Sequence, residues 1–106
     1  MVMMMTEDFM WDYSGVVDIL NIYQPGRMSR QSMEYGDVTI DVDDQREVIA
    51  LEVMHASEHL GLTGEQLRTL RSAEIVVEEG AVSIRLRLPD GKAKTIKMAA
   101  FPRVVA

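Results

Sequence analysis

Apolar and polar residues alternate with a period of two along most of this chain, the pattern of strands with one face buried. The clearest stretch is 37–43, where Val38, Ile40 and Val42 alternate with Asp37, Thr39, Asp41 and Asp43. The alternation places the three apolar residues toward a core and the aspartates and Thr39 toward water. Segment 47–54 repeats the pattern with Ile49, Leu51 and Val53, and the short connection at 43–46 predicts antiparallel pairing. Upstream, Ser14-Gly15 divides two aromatic or β-branched runs, which predicts a hairpin with strands near 8–13 and 16–23. Val16, Asp18, Leu20 and Ile22 would share one face of the second strand, and Val17, Ile19, Asn21 and Tyr23 the other. Neither face is purely polar, the mark of an interior strand. Pro25-Gly26 ends it, and residues 25–32 form the longest expected loop.

The last third shows the same period. Strands are expected at 73–78 and 81–88, joined by a turn at Glu79-Gly80. Pro89-Asp90-Gly91 fits a type I turn with a glycine in the left-handed region, which fixes the register of a following strand. Leu88 then pairs with Lys92, Ile84 faces Ile96, Val82 faces Met98, Arg85 faces Thr95 and Ser83 faces Lys97. Between the two β-regions the period changes. Thr63 and Gln66 have capping-box spacing, Leu62 and Leu67 that of a hydrophobic staple, and a short helix is predicted near 63–71. These elements predict an α+β domain spanning 1–106, mostly antiparallel β-sheet of about six or seven strands with one short helix, and residues 1–7 disordered.

Composition narrows the picture. The 106 residues carry a net charge of −6 and no cysteine, which removes disulfides, thiolate zinc sites and thiol nucleophiles. No basic leader and no membrane-length apolar run is visible, so a cytoplasmic prokaryotic protein is expected. The charge is divided: −8 over residues 1–53 and +2 over 54–106, with +5 concentrated in 85–103.

Segment 40–57 carries Ile40-Asp41-Val42-Asp43, then Glu52 on an apolar strand, then Ala56-Ser57. Upstream stand Trp11-Asp12-Tyr13 and Asp18-Ile19-Leu20-Asn21-Ile22. Over about residues 11–60 this resembles the domain-of-unknown-function family 2283, small uncharacterised prokaryotic proteins. Three positions depart from the family pattern. Arg46 stands at its turn glycine, Ala50 at its strand glycine, and the interval from Asp12 to Asp18 is two residues longer. The resemblance implies no assigned chemistry. Some members stand beside small toxin-like proteins, which implies partner binding.

Three groups of residues could carry chemistry. His55-Ala56-Ser57-Glu58-His59 matches H-x-x-E-H, in which two histidines one helical turn apart hold zinc and the glutamate acts as base; here Glu58 would serve a zinc hydrolase. Asp41, Asp43, Asp44 and Glu47 give the oxygen-rich spacing that suits a weak divalent, calcium-like site, without the central glycine and final glutamate of an EF-hand loop. Arg85, Arg87, Lys94 and Lys97 form a basic set on the last hairpin suited to an acidic partner. No aromatic interleaves them for base stacking, so nucleic acid is not expected. There is no glycine-rich phosphate loop and no G-x-S-x-G. The leading expectation is a non-catalytic module that binds an unidentified protein or itself, the basic hairpin of one copy meeting the acidic 37–47 segment of another as a dimer. No cofactor is expected beyond weakly held calcium. Divalent binding is the alternative, and zinc hydrolysis the third reading.

Overall fold

The computed structural model describes residues 9–100. The expectations for 1–7 and for a strand beginning at residue 8 lie outside the described residues.

The described residues form eight strands: β1 (Met10–Ser14), β2 (Ile19–Tyr23), β3 (Gln31–Tyr35), β4 (Val38–Val42), β5 (Val48–Met54), β6 (Ser72–Glu78), β7 (Ala81–Arg87) and β8 (Ala93–Ala100). Two helices of little more than one turn, α1 (Ala56–Leu60) and α2 (Gly64–Arg68), lie between β5 and β6. Every pairing is antiparallel. The class is α+β and mostly antiparallel sheet, as expected. The strands divide into two sheets, β1-β2-β5-β4-β3 and β6-β7-β8, rather than one.

One apolar cluster joins the two sheets. Leu20, Ile22, Val38, Ile40, Leu51 and Val53 from the first meet Ala73, Ile75, Val82, Ile84 and Leu86 from the second, and β6 lies against β1, β2 and β5. Fully burying a side chain of this size stabilises by about 1.5–3 kcal/mol relative to leaving it in water. Ala56, Leu60, Leu62, Leu67 and Leu70 close one end of the cluster. The two sheets therefore bury facing surfaces and present their other faces on opposite sides of the molecule.

The turns decide the details. Lys92 pairs with Leu88 and Gly91 sits at φ 92°, so the last hairpin has the expected turn. Ile84–Ile96, Arg85–Thr95 and Ser83–Lys97 pair as expected, but a bulge between Val82 and Ser83 moves Val82 opposite Ala99 instead of Met98. Thr63 and Gln66 form the capping box: Thr63 Oγ1 accepts from the Gln66 N–H at 3.0 Å and Gln66 Oε1 from the Thr63 N–H at 2.9 Å. The helix ends at Arg68 rather than residue 71, because Arg71 already hydrogen-bonds Arg87 through its N–H and so joins the second sheet.

Two expectations for the first half change. The first turn spans residues 15–18, not Ser14-Gly15 alone. Val16 is 96% exposed and Asp18 takes a left-handed conformation at φ 57°, so neither shares the inward face with Leu20 and Ile22. The expected 25–32 loop is shorter, because Gln31–Tyr35 pairs with β4, Met33 facing Ile40. That strand has too little alternation to be read alone and is formed by its partner.

Candidate functional site

The outward side chains of the five-stranded sheet fall in rows fixed by the register. The middle row runs Asp12, Asn21, Glu52, Thr39, Glu34. One row beyond lie Met10, Tyr23, Ala50, Asp41 and Ser32. On the other side Ile19 pairs with Met54, whose N–H donates to the Asp37 carbonyl at 2.8 Å. No lysine or arginine occurs on any strand of this sheet. A shallow cleft of about 380 Å³ runs across it, lined by Asp12, Asn21, Tyr23, Asp41 and Glu52 among others. The result is a negatively charged surface with apolar patches, Met10 being 49% and Met54 40% exposed.

Two further carboxylates are tied into the fold. Asp18 accepts from Tyr13 Oη at 2.6 Å, from Ser57 Oγ at 2.8 Å and from the Ser57 N–H at 3.1 Å. Its own carbonyl accepts from the Ala56 N–H at 2.9 Å. His55, the local N-cap of α1, makes no side-chain cap bond, so Asp18 supplies the cap from 39 residues upstream. The bond from Tyr13, followed by those from Ser57, holds the Asp18 carboxyl below its ordinary value, and the same bond raises the Tyr13 hydroxyl.

Of the four acidic residues expected to attract a divalent cation, Asp43 is 9% exposed rather than facing water. Its Oδ1 accepts from the Gln45 and Glu47 N–H groups at 2.9 Å each, and its Oδ2 pairs with Arg27. Arg27 also reaches Glu47 at 3.3 Å. The backbone bond from Glu47 leads in holding the Asp43 carboxyl low, with Arg27 adding to it. The Arg27 guanidinium thus lies between two of the four candidate ligands. Asp41 belongs to the sheet face and accepts from Ser32 Oγ, and Asp44 is an exposed turn residue. Arg46, at the family's turn glycine, is held at φ 64°, the region that glycine tolerates and other residues enter at a cost.

The H-x-x-E-H residues do not lie on one helix. His55 is left-handed at φ 54° before α1 begins, and only Glu58 and His59 lie within it. Asp37 stands between the histidines, its Oδ2 3.2 Å from His55 Nδ1 and 3.7 Å from His59 Nδ1. Among the described residues, no three histidine, aspartate or glutamate side chains are placed to hold a metal ion.

The basic set is split by the pleat. Arg85, Arg87 and Lys97 point outward from the second sheet. Lys94 opposes Leu86 on the inner side, and its Nζ donates to the Leu60 carbonyl at 2.8 Å, closing the end of α1. Arg85 lies 3.4 Å from Glu74, and Arg87 donates to the Gly91 carbonyl at 2.9 Å. Sequence reasoning missed the cap by Asp18, the clasp by Arg27 and the bridging position of Asp37. For the first a signal existed, since Asp18 and Ala56-Ser57 both fall on the family pattern.

The family model described as a protein of unknown function, domain-of-unknown-function family 2283, matches residues 11–57. A curated archaeal protein from Methanosarcina mazei, named a putative hypoxanthine phosphoribosyltransferase, is 26% identical over 78 residues, 74% of this chain. The alignment covers 63% of that relative's own length. No solved structure matches the chain. No helix of the described residues is long and apolar enough to cross a membrane. The family match begins in β1 and ends at Ser57, which joins the whole five-stranded sheet to the residue capped by Asp18. Over those residues the chain resembles domain-of-unknown-function family 2283, and the three-stranded sheet lies outside the match.

Proposed function

We propose that this protein is a non-catalytic, cytoplasmic protein-binding module whose contact surface is the outer face of the five-stranded sheet. One observation carries the reading: Asp12, Glu34, Asp41 and Glu52 share that face with exposed apolar side chains and with no lysine or arginine. Such a surface suits a partner that offers cations and some apolar area, because charge complementarity sets orientation and encounter rate while apolar contact supplies most of the affinity. The name of the archaeal relative raises phosphoribosyl transfer. The cleft on this face is lined by Asp12, Asp41 and Glu52, whose charge opposes a pyrophosphate ester, and the binding reading fits it better.

The test is a titration of the ¹⁵N-labelled protein with a lysine-rich amphipathic peptide. Amide shifts are expected at Asn21, Thr39 and Glu52, reduced by salt and by the double substitution Asp12→Asn, Glu52→Gln. Absence of shifts at millimolar peptide would overturn the reading.

A further inference from the structure

The two sheets expose surfaces of unlike chemistry on opposite sides of one molecule. The second sheet's outer rows are Ser72-Arg87-Ala93, Glu74-Arg85-Thr95, Val76-Ser83-Lys97 and Glu78-Ala81-Ala100, three cations against two carboxylates. Arg85, Arg87 and Lys97 are exposed there around the half-buried Val76. Arg85 is paired with Glu74 across 3.4 Å, both side chains about half exposed, a pair of the kind that contributes little and exchanges readily. The outer surface of the first sheet holds the Asp12, Glu52 and Asp41 carboxylates beside Met10 and Tyr23. Because the core lies between the two sheets, a molecule cannot bring its own basic face to its own acidic face. A second copy offers each face its complement.

We propose that the partner of the acidic sheet face is a second copy of this chain, which presents the outer face of β6–β8. The proposal rests on the binding reading above and names its partner. The two surfaces differ, so the contact is heterologous: each added copy leaves one acidic and one basic face free, and assembly is open-ended rather than a closed dimer. The area sets the strength. Five strands about 4.8 Å apart and five residues deep cover roughly 20 by 16 Å, well below the ~800 Å² per partner of a standard interface. Association is therefore of the weak, concentration-dependent class. The net charge of −6 on each copy opposes approach at long range. At about 0.1 M salt that repulsion is screened beyond about 10 Å while contact pairs persist; at about 1 M the contact pairs are screened as well.

The experiment is light scattering against concentration on the whole chain and on two variants, one with the acidic-face charge halved (Asp12→Asn, Glu52→Gln) and one with the basic-face charge cut to Arg87 (Arg85→Gln, Lys97→Gln). In about 0.1 M salt the wild type should grow past twice its 12.0 kDa monomer mass as concentration rises. It should return to monomer in about 1 M salt. Each variant alone should remain monomeric with an unchanged circular dichroism spectrum. An equimolar mixture of the two should reach double the monomer mass and stop there, because the mixture holds one intact complementary pair. A wild type that stays monomeric at millimolar concentration overturns the proposal. So does growth that survives in either variant, or a mixture that stays monomeric. The peptide titration separates the two ideas: peptide binding by a chain that stays monomeric removes the self-partner and keeps the binding surface, whereas failure of both removes both. Lys97→Glu, an exposed single change, gives a second check should the double variant not fold.

Discussion

The two sheets use the same inward chemistry and opposite outward chemistry. Inside, Leu20, Ile22 and Ile40 of the first and Val82, Ile84 and Leu86 of the second are buried to the same degree. Outside, the first sheet carries carboxylates, methionines and a tyrosine, and the second carries two arginines and a lysine beside Glu74 and Glu78. The shared core needs only volume and apolarity, so it constrains both sheets alike. The outer faces are free of that requirement, and their divergence is where a specific contact can be written. The family match follows the same division, ending with the five-stranded sheet and its capped corner.

The sharpest challenge to this comparison is the core itself. Ile22→Ala and Ile84→Ala, one in each sheet, should each cost about 2–5 kcal/mol and lower one common unfolding transition. Two separate transitions in calorimetry would show that the sheets are independent units and that the shared cluster does not couple them.

Acid should act on the five-stranded sheet first. Asp18 and Asp43 both have carboxyls held below their ordinary value, Asp18 chiefly by Tyr13 and Asp43 chiefly by the Glu47 N–H. A folded value below the unfolded one means that this stability is complete above the unfolded value near about 4 and is lost as pH falls through the lower folded values. Urea melts from pH 6 downward should therefore show a decline beginning near about pH 4, and Asp18→Asn and Asp43→Asn should each flatten it. Equal slopes in wild type and both variants would remove these carboxylates from the account.

A smaller effect is expected at Arg46. Its left-handed φ of 64° should make Arg46→Gly stabilising by roughly 1 kcal/mol. A loss of stability would mean that the arginine side chain contributes more than its backbone costs.

The smallest effect expected is that of calcium. Arg27 already lies between Asp43 and Glu47. Millimolar calcium and EDTA should both leave the melting temperature unmoved, whereas a site filled a hundredfold over its Kd would add about 2.7 kcal/mol. A rise with calcium reversed by EDTA would support the divalent reading of Asp41, Asp43, Asp44 and Glu47.

The sequence alone determined what depends on neighbours along the chain. The alternation in 38–42 and 49–53, the Thr63–Gln66 capping box and the Pro89-Asp90-Gly91 turn are local. Period, cap and turn chemistry fix each of them within a few residues, and the structure repeats them. Tertiary structure decided what depends on distant partners. The strand at Gln31–Tyr35 exists through β4, and α1 is capped by an aspartate 39 residues away. Asp43 is held inward by the Gln45 and Glu47 N–H groups together with Arg27, which reaches it across 16 residues. Lys94 leaves its basic neighbours because the pleat points it toward Leu60. The uneven charge along the chain was legible from the start. That it lies on two faces separated by one core was not, because a linear pattern records which residues share a strand face but not which sheets stand back to back.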